Sequence, residues 1–193
     1  MKEKLLVKLP KGAKLTDTST WLTLLEELEN VEDCPYLLWC IYETLRRDSS
    51  ATISSAVKLT ETTQIHDKII RDDHDILIGI HRLHMNPDQW TDPLKFNPER
   101  FNPESPYYLA KDNKKRHPLS FGPFLGGKRI CLGKTFAEYV PRCILPIILA
   151  QLNFEIPEDS DIFPEEKPSF SHFSNYSYYK VRVSQINEKD LLE

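Results

Sequence analysis

No C-x-x-C pair occurs in this chain: its four cysteines, Cys34, Cys40, Cys131 and Cys143, offer neither a zinc knuckle nor a redox dithiol. Their sparseness suits a reducing compartment. No segment is apolar over the ~18 residues that a membrane span requires. The opening MKEKLLVKLPKGAKL is too short in its apolar run and too rich in lysine to read as a signal peptide. An excess of one charge is missing as well. With 25 basic and 29 acidic residues the formal net charge is -4, so no global field points to nucleic acid. Internal repeats and a linker that would divide two domains are also lacking. What is left, 193 residues at 40% hydrophobic and 28% charged, reads as one globular unit with one core. The local cluster Lys114, Lys115 and Arg116 reads as a solvated loop rather than a docking patch.

Periodicity organises the rest. Residues 17–30 (DTSTWLTLLEELEN) carry Trp21, Leu24, Leu25 and Leu28 at helical steps. A second helix is expected in PYLLWCIYETLRR, where Pro35 sits in a first turn and Leu38, Ile41, Tyr42 and Leu45 form one stripe. Residues 54–80 are richer in β-branched side chains and read as two or three short strands, AVKLTETTQI, DKII and DILIGI. His81 and His84 end that run, where three-residue spacing puts side chains on opposite faces, so no metal pair is expected. Six prolines between 84 and 118 predict coil with one helical turn near Pro87 to Trp90. Residues 134–152 return to helical spacing, with Pro141 and Pro146 predicting a kink or a broken start. The tail, 170–186, reads as a closing hairpin.

The stretch 121–134, FGPFLGGKRICLGK, sets one cysteine in a glycine-flanked loop just before an apolar helical pattern. That arrangement suits a single thiolate ligand to a heme iron. Gly126, Gly127 and Gly133 let backbone turn and approach a flat ligand, and Arg129 adds a fixed positive charge two residues before the sulfur. The bland alternative for Cys131, a small buried hydrophobe, is the reading given to Cys34, Cys40 and Cys143. Glu43 and Arg46, three residues apart on one helix face, are placed to pair.

Read as Phe-x-x-Gly-x-Arg-x-Cys-x-Gly, the loop runs Phe124, Gly127, Arg129, Cys131, Gly133, and here the chain resembles the cytochrome P-450 family of heme-thiolate monooxygenases. Two further motifs follow that family's order: Glu-x-x-Arg at Glu43 and Arg46, and Pro98, Glu99, Arg100, Phe101 in the coil. MNPDQWTDPLKFNPERF is similar to the segment leading to that coil, and the resemblance spans about 33–156, within a single partial domain of 1–193.

The resemblance implies a mixed α/β fold, mainly helical with a small β-sheet: the C-terminal, proximal, heme-binding part of the cytochrome P-450 fold. It implies heme as cofactor, with Cys131 as axial ligand, Arg129 toward a propionate, Phe124 beside the sulfur, and Gly127 and Gly133 shaping the loop. Arg100 is expected to fold onto Glu43 and Arg46 as a buried structural network. Dioxygen, an apolar organic substrate and a reductase are the implied partners, and the cytosolic side of the endoplasmic reticulum membrane the implied location. Three departures stand out. Val140 occupies a position where the family often has glutamate, and only Lys58 stands in for a second propionate-binding arginine. Only 42 residues precede Glu43, and none reads as the helix that supplies the family's oxygen-activating residues. The alternative expectation is therefore a non-catalytic truncated or split product that needs a complementary chain or binds heme poorly.

Overall fold

The computed structural model describes Ser19, residues 35–157 and residues 181–186. Apart from Ser19, the helix expected over 17–30 lies outside the described residues, as does Cys34. Helix α1 spans Pro35–Arg47, with Arg46 and Arg47 in the last turn, where the helix dipole favours cations. Its buried residues are Leu37, Ile41, Glu43 and Arg46. Of the expected stripe only Ile41 is fully buried, while Leu38, Tyr42 and Leu45 are half-buried. Two charged side chains find partners inside, and they turn that face of the helix inward.

Four strands, rather than two or three, follow: β1 (Val57–Lys58), β2 (Thr63–Ile65), β3 (Lys68–Ile70) and β4 (Asp75–Ile76). They form two antiparallel pairs, β1 with β4 and β2 with β3, the latter turning at His66 with φ 52°. The apparent single run AVKLTETTQI is broken between Lys58 and Thr63, and two-residue strands carry too little alternation to be read from sequence. DILIGI is a strand only at its start. The chain leaves β4 at Ile76 and forms helix α2, Ile80–His84, so His81 and His84 lie on a helical turn and not on a strand.

The proline-rich coil holds 3-10 turns at Pro98–Phe101, Pro106–Tyr108 and Pro118–Ser120, each with a proline at its start, where the missing amide hydrogen costs nothing. The helical turn near Pro87 is present, closed by the Trp90 N–H donating to Asn86 O at 2.9 Å. Helix α3 runs over Lys134–Gln151 as one element through Pro141 and Pro146. It passes directly into β5 (Leu152–Glu155), which pairs antiparallel with β6 (Arg182–Gln185). The expected hairpin tail thus closes on residues that precede it by about thirty positions, and 170–180 lie outside the described residues.

The core sits between α1, α2 and the coil. Leu37, Ile41, Ile80, Trp90 and Ala110 are its buried apolar members, set beside buried Glu43, Arg46, Ser54, His84, Arg100 and Ser120. So many buried polar groups require partners, because an unpaired one costs about 1–3 kcal/mol. Among the described residues no helix is long and apolar enough to cross a membrane.

Candidate functional site

Backbone hydrogen bonds build the cysteine loop. The Leu125 N–H donates to Gly122 O at 3.0 Å, and a 3-10 turn follows at Gly127–Arg129. Gly127 takes φ 68°, the left-handed region where an added Cβ costs about 1 kcal/mol. Leu125 takes φ 60° without glycine's freedom, so the turn carries a strained residue. The Cys131 N–H donates to Phe124 O at 3.0 Å, and the Lys134 N–H donates to Cys131 O at 3.2 Å. Cys131 is thus fixed through both its backbone groups, while the residue itself is exposed.

Its sulfur lies over the start of α3. A Cβ built on Gly133, the N-cap of that helix, would stand 3.8 Å from Cys131 Sγ, which faces the sulfur toward the positive end of the helix dipole. Its chain neighbours Ile130 and Leu132, and Phe136 in the first turn of α3, are exposed, and Leu132, at 101%, makes essentially no contact that covers it. Among the described residues nothing lies within 4 Å of where side chains on Gly126 or Gly127 would begin. An exposed thiol, exposed apolar residues next to it in the chain and clear backbone fit a flat, apolar group that takes one soft ligand, which is the chemistry of heme held by thiolate. Arg129 is exposed on the same turn and forms no ion pair with a described residue. Phe124 is half-buried and meets Cys131 through its carbonyl. Cys40 and Cys143 are partly buried rather than fully enclosed.

Beneath the loop, Arg46 and Glu43 make a bidentate pair, Nε to Oε2 at 2.7 Å and Nη2 to Oε1 at 2.8 Å. Arg100 Nε reaches the same Oε1 at 3.2 Å, and the Asn97 N–H donates to it at 2.9 Å. Exposure is 0% for Glu43 and Arg46 and 1% for Arg100, so one carboxylate and two guanidinium groups sit out of water together. Backbone carbonyls take up the surplus positive charge. Arg46 Nη1 donates to His84 O at 2.9 Å, and Arg100 donates to Thr91 O, to Asp92 O at 2.7 Å and to Lys95 O at 3.1 Å. Burial holds the Arg100 pKa below its ordinary value, with nearby Glu43 working against that shift.

Arg116 corrects the reading of its cluster as a solvated loop. Its guanidinium lies 4.3 Å from the Trp90 ring centre and donates to Tyr107 O at 2.8 Å and to Arg100 O. Burial lowers it to about 10, which leaves it charged at neutrality. Lys114 and Lys115 are exposed. Lys58 is exposed on β1, and Glu138 pairs with Lys134 at 2.8 Å on α3, close to half-buried Val140.

Two features escaped the sequence. Phe121 is a hub: its ring lies 5.0 Å from Phe101, 5.6 Å from Tyr42, 6.4 Å from Trp90 and 5.4 Å from His84. His84 is fully buried, and its Nε2 accepts the Gly122 N–H at 3.1 Å. Trp90 and Phe121 signal themselves only as large aromatics in a polar coil, and nothing local marks His84.

The cytochrome P-450 family model matches residues 26–181. The chain belongs to the cytochrome P-450 family. Cytochrome P-450 4F6 of Rattus norvegicus is 32% identical over 142 residues, covering 74% of this chain and 25% of that protein. An ultra-long-chain fatty acid omega-hydroxylase of Homo sapiens is 33% identical over 147 residues, covering 75% and 26%. The chain therefore spans about a quarter of the length of these curated relatives. A zebra fish cytochrome P-450 solved with abiraterone superposes at a TM-score of 0.69 and 20% identity, over 96% of this chain and 39% of that one. The mixed, mainly helical architecture is part of the cytochrome P-450 fold, and the cofactor of the family is heme.

Proposed function

We propose that this chain is the thiolate-side, heme-binding part of a monooxygenase, with Cys131 as the axial ligand to the heme iron. The observation that carries the reading is the exposed Cys131, fixed at both backbone groups, with Ile130, Leu132 and Phe136 nearby in the chain also exposed. Heme, when bound, supplies the reductive activation of dioxygen. The chain's own residues hold and screen it. Gly127 and Gly133 keep the face clear, Leu132 and Phe136 form an apolar wall against water, and the Phe124 carbonyl anchors the ligand's amide. Arg129 offers a guanidinium to a propionate. The cluster of Glu43, Arg46 and Arg100 keeps the coil in register below the loop.

The substrate is an apolar organic molecule, a reading supported by the fatty acid in the name of the human relative. Family resemblance supports a reductase as electron donor and the cytosolic side of the endoplasmic reticulum membrane as the place of work. A second reading draws on the quarter-length match: a part that holds heme without turnover until a complementary chain is present. Reconstituting residues 1–193 with hemin, reducing under carbon monoxide and supplying a reductase with a lipophilic probe decides between them. A thiolate-type Soret band with coupled turnover favours the first reading, and the band without turnover favours the second. A band that survives Cys131→Ser overturns the ligand assignment.

A further inference from the structure

His84 is the last residue of α2, is fully buried, and bridges two parts of the molecule that the heme site needs in register. On one side its backbone carbonyl accepts from Arg46 Nη1 at 2.9 Å, and its Nδ1 lies 3.0 Å from Arg46 O and 2.8 Å from Ser49 Oγ. On the other side Nε2 faces the Gly122 N–H at 3.1 Å, at the entry to the cysteine loop. The ring is also tilted 32° against Phe121, the residue before that glycine.

Its partners dictate the tautomer. A backbone N–H can only donate, so Nε2 must carry a lone pair; a backbone carbonyl can only accept, so Nδ1 must carry the proton. Ser49 agrees, because its own hydroxyl proton goes to Leu45 O at 2.8 Å and leaves an oxygen lone pair for Nδ1. The ring is thus neutral with Nδ1–H, the less favoured tautomer of free histidine. Arg46 and Glu43 fix His84 from α1, and His84 fixes Gly122.

We propose that His84 is a positioning residue for the heme ligand: through its Nδ1–H tautomer it transmits the register of Arg46 to the loop that carries Cys131. This rests on Cys131 being the ligand, but concerns a contact that exists without heme. It assigns α2, which carries no motif of the loop, a direct role in the loop's geometry.

The test uses the 193-residue chain without heme. Long-range nitrogen–proton NMR of the His84 ring at pH 7 should show a protonated Nδ1 and an unprotonated Nε2; a proton on Nε2 would refute the proposal. Amide exchange is then compared in the wild type, His84→Gln and His84→Asn. Gln Oε1 can reach the Gly122 N–H, whereas Asn places its amide near Nδ1 and cannot. Loss of one such hydrogen bond predicts roughly tenfold faster exchange over 121–131 in His84→Asn. Protection should return in part in His84→Gln, which keeps the acceptor for Gly122 but not the donor to Arg46 O, with helix 35–47 unchanged in both. Equal loop protection in all three proteins, or parallel loss in loop and helix, overturns the proposal. Failure of the ligand assignment registers separately, in the carbon monoxide spectrum of Cys131→Ser.

Discussion

The ring of Phe101 stands 5.0 Å from that of Phe121 at an angle of 61°, an edge-on contact joining the Pro98–Phe101 turn to the mouth of the cysteine loop. Edge-to-face rings at this separation add about 0.5–1.5 kcal/mol beyond their burial. The contact ties the turn containing Arg100 to the loop containing Cys131, so charge network and ligand loop share one aromatic hinge.

Damage to the network should therefore reach the loop. Glu43→Ala leaves two buried guanidinium groups without their carboxylate, and Arg46→Ala removes the bidentate partner. Each should cost about 3–5 kcal/mol in urea denaturation. Arg46→Lys should also be poorly tolerated, since an ammonium cannot replace the fork that spans both Glu43 oxygens and His84 O. Wild-type midpoints for both alanine variants would mark the cluster as energetically idle.

Two adjacent glycines should respond differently to the same substitution. Gly127→Ala forces a side chain into φ 68° and should lower stability by about 1 kcal/mol, whereas Gly126, at φ -164°, is extended and has no described residue within 4 Å of an added Cβ. Gly126→Ala should be neutral or slightly stabilising in the apo protein. Thermal melts of the pair check this, and equal losses would contradict the backbone assignment.

Acid should loosen the fold through His84. Burial, first, with the like charges of Arg46 and His81, lowers its pKa from 6.5 to about 4, while its hydrogen bond to the Arg46 carbonyl opposes the shift. The unfolded chain takes the proton near 6.5 and the folded chain only near 4. The stabilisation is therefore complete above pH 6.5 and is lost as pH falls toward 4, about 3 kcal/mol in all. Denaturation midpoints between pH 7 and 4 should drop more steeply in the wild type than in His84→Gln.

Thiol labelling offers a check that needs no spectrum. Cys131 is exposed while Cys40 and Cys143 are partly buried, so brief iodoacetamide treatment should alkylate Cys131 before either of those two. Peptide mass spectrometry should show hemin protecting that position several-fold. Unchanged labelling with saturating hemin would remove Cys131 from the binding site.

The cysteine loop was legible because its information is chemical and local: one thiol, one arginine and glycines at fixed steps over ten residues. Helix α1 was legible in extent; periodicity alone sends Glu43 and Arg46 outward, and only the family resemblance implied that they lie buried with Arg100. Helix α2 was masked because it starts on Ile80, the last residue of DILIGI, where apolar residues continue past the true strand end at Ile76. The Phe121 hub and the His84 bridge depend on residues up to about eighty positions apart, and no local window contains them.

Because Glu43 serves Arg46, Arg100 and the Asn97 amide at once, no single substitution at 43, 46 or 100 leaves the remaining groups satisfied. Neutral drift through this cluster would require several changes together, each intermediate carrying an unmatched buried charge. On stability alone, the three charges form one unit that is kept whole or replaced whole by residues that need no buried partner.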